Sequence, residues 1–311
     1  MSSVIGNILV TGASGFIGGK LRLDGTRALV RKKQTDLDAI GDLLDFQSLI
    51  QGCKDIDTIF HCAGYAHAFN DSNPDTHWRI NFEGTSNLIK AAGISGVKRV
   101  VFLSSVKAAG AASSKGLTEK FQRPAASAYA QAKLAAEEAV LDGGKKYNMH
   151  VVNLRLAMVY GKGGRGNLER MIRAVRAGWF PPVPDTHNKR SVVHISDVLS
   201  AIYLVATDPR ANQATYIIAD HTPYSTRQIY DTIRQVLGLA PARWALPEKY
   251  FRAAAACGDC FEKFLPIKAP VNGELVRQLL DSEYYLPDQI AQSIGWRAQT
   301  DLQQGLREMI C

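Results

Sequence analysis

A tyrosine and a lysine stand four residues apart in Tyr129-Ala-Gln-Ala-Lys133, inside an alanine-rich stretch from Ser127 to Leu141. Alanine favours helix, and an i, i+4 pair on a helix shares one face. A free phenol titrates near ~10 and is a poor base at neutral pH. A fixed ammonium beside it favours the phenolate and is expected to lower that value. Such a tyrosine can exchange a proton with an alcohol or a ketone. Upstream, Arg99-Val-Val-Phe-Leu103 reads as a strand closed by Ser104-Ser105, where a hydroxyl can hold the reacting oxygen. Tyr129 and Lys133, with a hydroxyl from Ser104-Ser105, are the candidate catalytic residues.

A nucleotide cofactor, where one is used, is bound and aligned by the protein. The stretch Asn7-Ile-Leu-Val-Thr-Gly-Ala-Ser-Gly-Phe-Ile-Gly18 offers a place for one. A short apolar run breaks into glycines at 12, 15 and 18 and leads into a second apolar segment. Strand, glycine turn and helix start together present free backbone N–H groups to a pyrophosphate. The spacing is G-x-x-G-x-x-G rather than the commoner G-x-G-x-x-G. Only seven residues, Gly19 to Gly25, separate this motif from the next strand, so the first crossover helix has about two turns at most.

Strand-like and helix-like segments alternate through the first half. Strands are expected at 7–11, 26–30, 57–61, 99–103 and 150–156, with helices over 81–92 and 127–141. That pattern implies an α/β fold with a doubly wound parallel sheet, whose ligands sit beyond the carboxyl ends of the strands. The second half is richer in loops, with Pro223, Pro241, Pro247, Pro266 and Pro270 as breaks, and reads as a smaller C-terminal lobe over the sheet's ligand edge. The expected division places residues 1–155, with about 189–220, in the dinucleotide-binding domain, and 156–188 with 221–311 in the substrate-binding lobe.

The chain has 311 residues, 46% hydrophobic and 21% charged, with a formal net charge of +8. Basic charge suits nucleic acid, a membrane surface or a polyanionic small substrate. It is spread without a Lys/Arg block or aromatic–basic interleaving, which argues against nucleic acid. No leader sequence and no apolar run long enough for a membrane span is read. Five cysteines, an odd and scattered set, fit a reducing cytoplasm. Cys257-Gly-Asp-Cys260 is a lone C-x-x-C, better read as two cysteines on a helix than as a zinc or redox site, and no metal site is expected.

Taken together these motifs resemble an extended short-chain dehydrogenase/reductase of the NAD(P)-dependent epimerase/dehydratase type acting on nucleotide sugars. The matching residues are Thr11-Gly-Ala-Ser-Gly-Phe-Ile-Gly18, Gly41-Asp42-Leu43, His61-Cys-Ala-Gly64, Asn81-Phe-Glu-Gly-Thr85, Phe102-Leu-Ser-Ser105, Tyr129 with Lys133, Leu154-Arg155 to Tyr160-Gly161, Gly166-Asn167, Arg190 to His194 with Asp197, and Leu286 to Trp296. The Gly161-Lys-Gly-Gly-Arg-Gly-Asn167 loop and Arg190-Ser-Val-Val-His194 look most like bacterial polysaccharide enzymes, 4-keto UDP-sugar reductases and related 4-epimerases.

The resemblance implies roles. Ser105 orients the sugar oxygen, Tyr129 moves the proton and Lys133 holds the nicotinamide ribose. Gly12, Ser14, Gly15, Phe16 and Ile17 wrap the pyrophosphate. Asp42 and Leu43 meet the adenine, Ala63 and Gly64 pass under the cofactor, and Asn81 supports that wall. Asn167 and Arg190 hold the diphosphate and nucleotide of a UDP-linked sugar, with Arg277 a weaker candidate; Arg155 is structural. A homodimer paired through helices near 81–92 and 127–141 is implied by resemblance alone.

Departures sharpen the expectation. The second strand ends Leu29-Val30-Arg31-Lys32-Lys33, where an NAD enzyme offers an acid to the ribose. Arg31 suits a 2′-phosphate, which favours NADP over NAD, although a solvated charge run has the same composition. Val106-Lys-Ala-Ala109 lacks the acids of a sugar dehydratase, and Met158 replaces an asparagine common in UDP-sugar epimerases. The expected activity is NADP-dependent reduction of a C4 keto group on a UDP-sugar. An NAD-dependent 4-epimerase is the alternative, and a non-catalytic NADP sensor or scaffold the minority one.

Overall fold

A computed structural model describes residues 5–23, 25–65, 74–110, 114–120, 127–164, 166–264, 269 and 271–311. The N-terminal residues 1–4, Arg165, Pro266, Pro270 and one residue of the first crossover, Asp24, lie outside the described residues. Seven parallel strands form the central sheet in the order β3-β2-β1-β4-β5-β6-β9. They are β1 (Ile8–Thr11), β2 (Arg27–Val30), β3 (Ala39–Ile40), β4 (Thr58–His61), β5 (Arg99–Ser105), β6 (His150–Leu156) and β9 (Ala214–Ile218). The order reverses between β1 and β4, and the crevice at such a switch point is where ligands dock in doubly wound sheets.

Successive strand residues point to opposite faces. Val10, Phe60, Val101 and Val152 pack on one side with the helix Ile195–Thr207. Leu9, Ile59, Val100 and Val151 pack on the other with the helices Phe46–Gly52, Gly84–Ile94 and Ala128–Tyr147. Both faces are covered, which is why these strands read as nearly unbroken apolar runs.

The first crossover helix, Phe16–Leu21, has six residues, as its short sequence requires. Arg22 then reaches over the loop after β2, donating to Gln34 Oε1, Thr35 Oγ1 and Asp38 Oδ1 at 3.0, 3.1 and 2.7 Å. Asp38 also accepts from the backbone of Gln34 and Thr35. This cluster closes a crossover that has few residues to close itself. The expected helix over 81–92 differs in detail: Trp78–Glu83 is a π-helical turn, and a regular α-helix begins at Gly84. Such turns displace a residue from the α ladder and are common at functional sites.

A further core forms in the second half from the helices Asn167–Arg176, Thr226–Val236, Glu248–Phe264, Gly273–Leu280 and Leu302–Ile310. A two-stranded sheet of β7 (Met158–Tyr160) and β8 (Val192–His194) links it to the first half. Segment 283–286 runs between the two: Ser191 N–H donates to Glu283 O, and Leu117 N–H to Tyr284 O. Cys257 and Cys260 lie exposed on the helix Glu248–Phe264.

Candidate active site

The long helix Ala128–Tyr147 starts at Ser127, whose hydroxyl caps Ala130 N–H. Capping fixes where the helix begins and so where its first turns point. Tyr129, Lys133 and Glu137 follow at successive i, i+4 positions on the face that meets β5. Each engages one of three consecutive β5 residues. Tyr129 is hydrogen-bonded to the Ser105 side chain. Lys133 Nζ donates to Leu103 O at 2.9 Å. Glu137 Oε1 accepts from Ser104 Oγ at 2.5 Å.

The predicted trio is therefore assembled, but its protonation differs from the expectation. Burial, at 6% exposure, raises the Tyr129 phenol above its ordinary value, against the Ser105 hydrogen bond that lowers it. The Lys133 ammonium does not bring it down, because Lys133 is turned to Leu103 O and lies 4.5 Å above the Phe102 ring. Lys133 is 5% exposed, and burial lowers it from 10.5 to about 8, opposed by the charge of Glu137.

Behind the trio, His61, Thr11, Thr85 and Asn81 form one connected hydrogen-bond chain. Thr85 Oγ1 donates to Asn81 O at 2.7 Å and so accepts from His61 Nε2 at 2.9 Å. That assigns the proton to Nε2, and leaves Nδ1 to accept from Thr11 Oγ1 at 2.6 Å. Thr11 Oγ1 in turn accepts from Ala63 N–H at 3.2 Å. His61 is wholly buried, and desolvation followed by the Lys133 charge pushes it down to about 3, so it stays neutral. Asn81 closes the chain by accepting from Tyr65 N–H at 2.8 Å and donating to Tyr65 O at 3.1 Å. His77 packs edge-on against Tyr129, with ring centroids 5.8 Å apart.

The glycine turn fits a dinucleotide. Gly12 has φ +69°, and a Cβ there would sit 2.6 Å from Ala63 N. A Cβ at Gly18 would sit 2.3 Å from Gly12 O, so the helix start and the turn are pressed together. Gly15 is the helix N-cap and no side chain caps the helix, which leaves first-turn N–H groups beside Ser14, Phe16 and Ile17 open to a ligand. A Cβ at Gly64 would meet Asn81 Oδ1 at 2.9 Å and Lys133 Nζ at 3.4 Å, so Ala63 and Gly64 form the wall that Asn81 supports. Asp42 accepts from Leu44 N–H at 2.9 Å, and Leu43 O accepts from Asn87. Arg31 and Lys32 stand exposed at the end of β2.

The substrate candidates are less unified. Asn167 opens its helix and donates to Gln278 Oε1 at 2.9 Å, on the helix that carries the exposed Arg277. Arg190 is no surface arginine: it is 7% exposed and pairs with Glu283 at 3.0 Å. Glu283 also binds Lys107, and the two cations hold its carboxyl below its usual range although burial opposes them. The expected contact of Arg190 with a diphosphate therefore meets a competitor already in place. Arg155 is structural, as expected, with Nη2 2.7 Å from Glu137 Oε2.

Sequence reading missed Glu137, His61, Lys107 and Glu283. Glu137 had a signal, a charge four residues beyond Lys133 on the inward face of the helix. Glu283 had none, since its partner Lys107 lies 176 residues away. Among the described residues no group of three or more His, Cys, Asp or Glu is placed to hold a metal ion, and no helix is long and apolar enough to cross a membrane.

Known proteins of similar sequence and fold span nearly the whole chain. The chain is 29% identical to UDP-glucose 4-epimerase of Vibrio cholerae, over 97% of this chain and 94% of that one. It is 26% identical to 2-alkyl-3-oxoalkanoate reductase of Stenotrophomonas maltophilia, over 97% and 98%. The solved complex of MoeE5 with UDP-glucuronic acid and NAD is 27% identical and superposes with a TM-score of 0.75, covering 98% of each chain. Residues 8–219, which include the glycine turn, Ser105, Tyr129 and Lys133, match the NAD dependent epimerase/dehydratase family, and the chain belongs to that family.

Proposed function

We propose that the protein is an NADP-dependent oxidoreductase that reduces the C4 keto group of a UDP-linked sugar. The observation that carries the choice of cofactor is the end of β2, where Arg31 and Lys32 stand exposed and no acid is present to receive ribose hydroxyls. A guanidinium matches the planar, bidentate geometry of a phosphate. The bound dinucleotide supplies the hydride.

The chain's own residues do the rest. The turn at Gly12, Gly15 and Gly18 holds the pyrophosphate, and Arg31 the 2′-phosphate. Lys133, beside Gly64, holds the nicotinamide ribose. Ser105 hydrogen-bonds the sugar's C4 oxygen and Tyr129 gives that oxygen its proton. Burial favours the neutral phenol, which is the form a reductase needs at the start of its turnover. Asn167 and Arg277 lie on the lobe that receives the nucleotide diphosphate, and Arg190, at its border before β8, binds it by exchanging Glu283 for phosphate.

A second reading, an NAD-dependent 4-epimerase, is supported by the likeness to UDP-glucose 4-epimerase over nearly the whole chain. A sensor without catalysis is disfavoured by the assembled trio. Mixing the purified protein with a 4-keto UDP-N-acetyl sugar and NADPH tests the proposal. Loss of reduced nicotinamide absorbance is expected. Interconversion of UDP-sugar epimers with no net cofactor consumption would instead establish the epimerase.

The same reading places the enzyme in polysaccharide precursor synthesis in the cytoplasm, as a homodimer. Trp78, exposed and tilted against Phe82 with ring centroids 4.6 Å apart, stands just before the helix expected to pair. Light scattering that returns a monomer mass for the purified protein would remove the dimer from the proposal.

A further inference from the structure

Glu137 is 3% exposed and carries more polar contacts than a helix residue two turns beyond Tyr129 needs for packing. Its carboxylate receives Arg155 Nε on both oxygens at 3.1 Å and Nη2 at 2.7 Å. It also receives Ser104 Oγ at 2.5 Å. An ion pair this deep is weak evidence for stability, since desolvation offsets most of the attraction. Its position points elsewhere. Glu137 is one turn from Lys133 on the same face, and Ser104 immediately precedes Ser105.

We propose that Glu137 is a positioning residue for the reaction: its carboxylate supplies the counter-charge to the buried Lys133 ammonium and fixes the strand end that carries Ser105. The inference rests on the reading that Lys133 works as an ammonium on the nicotinamide ribose.

The surroundings of Lys133 leave this task to Glu137. From β4, His61 is neutral, pushed down to about 3 by burial. Just beyond β4, Cys62 is a neutral thiol, pushed up to about 12 by burial. On its own helix Tyr129 is a neutral phenol. From β5, Leu103 offers a carbonyl and Phe102 a ring face. Arg155, on β6, pairs with the Glu137 carboxylate at 2.7 Å. Glu137 first, and Cys62 after it, oppose the desolvation of Lys133, and of these Glu137 is the carboxylate, one turn away on the same helix face. Ser104 supplies the second half of the role. With Leu103 O, Ser104 Oγ and Ser105 Oγ each held by one residue of the helix, the strand end cannot rotate without breaking all three.

The test is a side-chain 15N NMR titration of Lys133 Nζ in the full-length protein, assigned by its loss in Lys133→Arg. It needs neither cofactor nor substrate. The wild-type midpoint is expected near 8. In Glu137→Gln, which keeps a hydrogen-bonding side chain and removes the charge, the midpoint falls by about 1–3 pH units, the range for loss of a close opposite charge. Glu137→Gln/Arg155→Met leaves no buried guanidinium without its carboxylate and serves if the single variant fails to fold; its acid shift is smaller, because the guanidinium's repulsion of Lys133 goes with the carboxylate's attraction. Ser104→Ala keeps the charge and leaves the midpoint in place. A midpoint unmoved by removal of the Glu137 charge would overturn the proposal and leave Glu137 as packing for Arg155. NADPH affinity measured by its fluorescence then separates the two levels. If the Lys133 midpoint shifts while affinity stays independent of pH, the counter-charge stands and the ribose role of Lys133 fails.

Discussion

The two sides of the reaction cleft are built differently. On the cofactor side, polar groups are paired along one helix and the strand beside it: Tyr129 with Ser105, Lys133 with Leu103 O, Glu137 with Ser104 and Arg155. On the substrate side, contacts come from distant segments and several groups go unmatched. Asp220, 5% exposed, has no hydrogen-bond partner on either carboxylate oxygen, and neither has the buried Tyr285 hydroxyl. One salt-bridged cluster, Arg190 and Lys107 on Glu283, ties the sheet's edge to the lobe. A matched, local network holds one geometry, whereas unmatched buried groups carry a desolvation cost that a ligand or a proton can relieve. Under the function proposed above, the cofactor side is organised by its own contacts, and the second region keeps buried groups without a partner.

Substitutions that strike one side alone break or sharpen this contrast. Tyr129→Phe removes the proton donor and leaves the fold, so turnover falls by about 10²–10⁴-fold. NADPH affinity stays within a few-fold, checked by fluorescence titration. Arg190→Met removes one of the two cations on the half-buried Glu283 carboxylate, and costs about 1–3 kcal/mol in urea unfolding. If that variant were as stable as wild type, the Glu283 cluster would not be the tie between lobe and sheet. Arg31→Glu places a carboxylate at the 2′-phosphate position and weakens NADPH binding by about 1.5–3 kcal/mol, the worth of a charged hydrogen bond, with NADH little changed. Equal weakening of both would remove the phosphate role.

Asp220→Asn is the smallest change and runs the other way. Desolvation first, then the Asp197 and Asp301 charges, raises Asp220 from 3.8 to about 8. The native state therefore keeps a proton that the unfolded chain releases near 3.8. Stability falls as pH rises from 3.8 through about 8, because the native state binds more protons over that window. Asparagine removes that loss and is expected to stabilise the protein above neutrality by about 1–3 kcal/mol, the cost of an unmatched buried group. At pH 4 the two proteins should unfold alike, and equal stability at pH 8 would show that Asp220 is not desolvated.

The contrast also explains what the sequence made legible. The trio was readable because Tyr129 and Lys133 depend on a spacing of four, and Ser105 on closing an apolar run. The sheet was readable because Ile8–Thr11, Thr58–His61 and His150–Leu156 are short apolar runs between turn residues. The protonation of Tyr129 was not, since it depends on where Lys133 turns once Leu103 O comes within reach. Nor was the burial of Arg190, whose partner Glu283 arrives from 93 residues away and whose second cation lies farther still. The π-helical turn at Trp78–Glu83 had no propensity signal, because it is set by Asn81 clamping Tyr65.

Deuterium transfer tests the central claim most directly. NADPH labelled with deuterium at nicotinamide C4, in each of its two stereoisomers, is mixed with the protein and a 4-keto UDP-sugar. One stereoisomer is expected to deliver deuterium to C4 of the product sugar, with NADPH consumed in equal amount, and Tyr129→Phe to slow the transfer by the same about 10²–10⁴-fold. If UDP-sugar epimers interconvert while the label stays on the cofactor and none is consumed, net reduction is contradicted and the site is an epimerase.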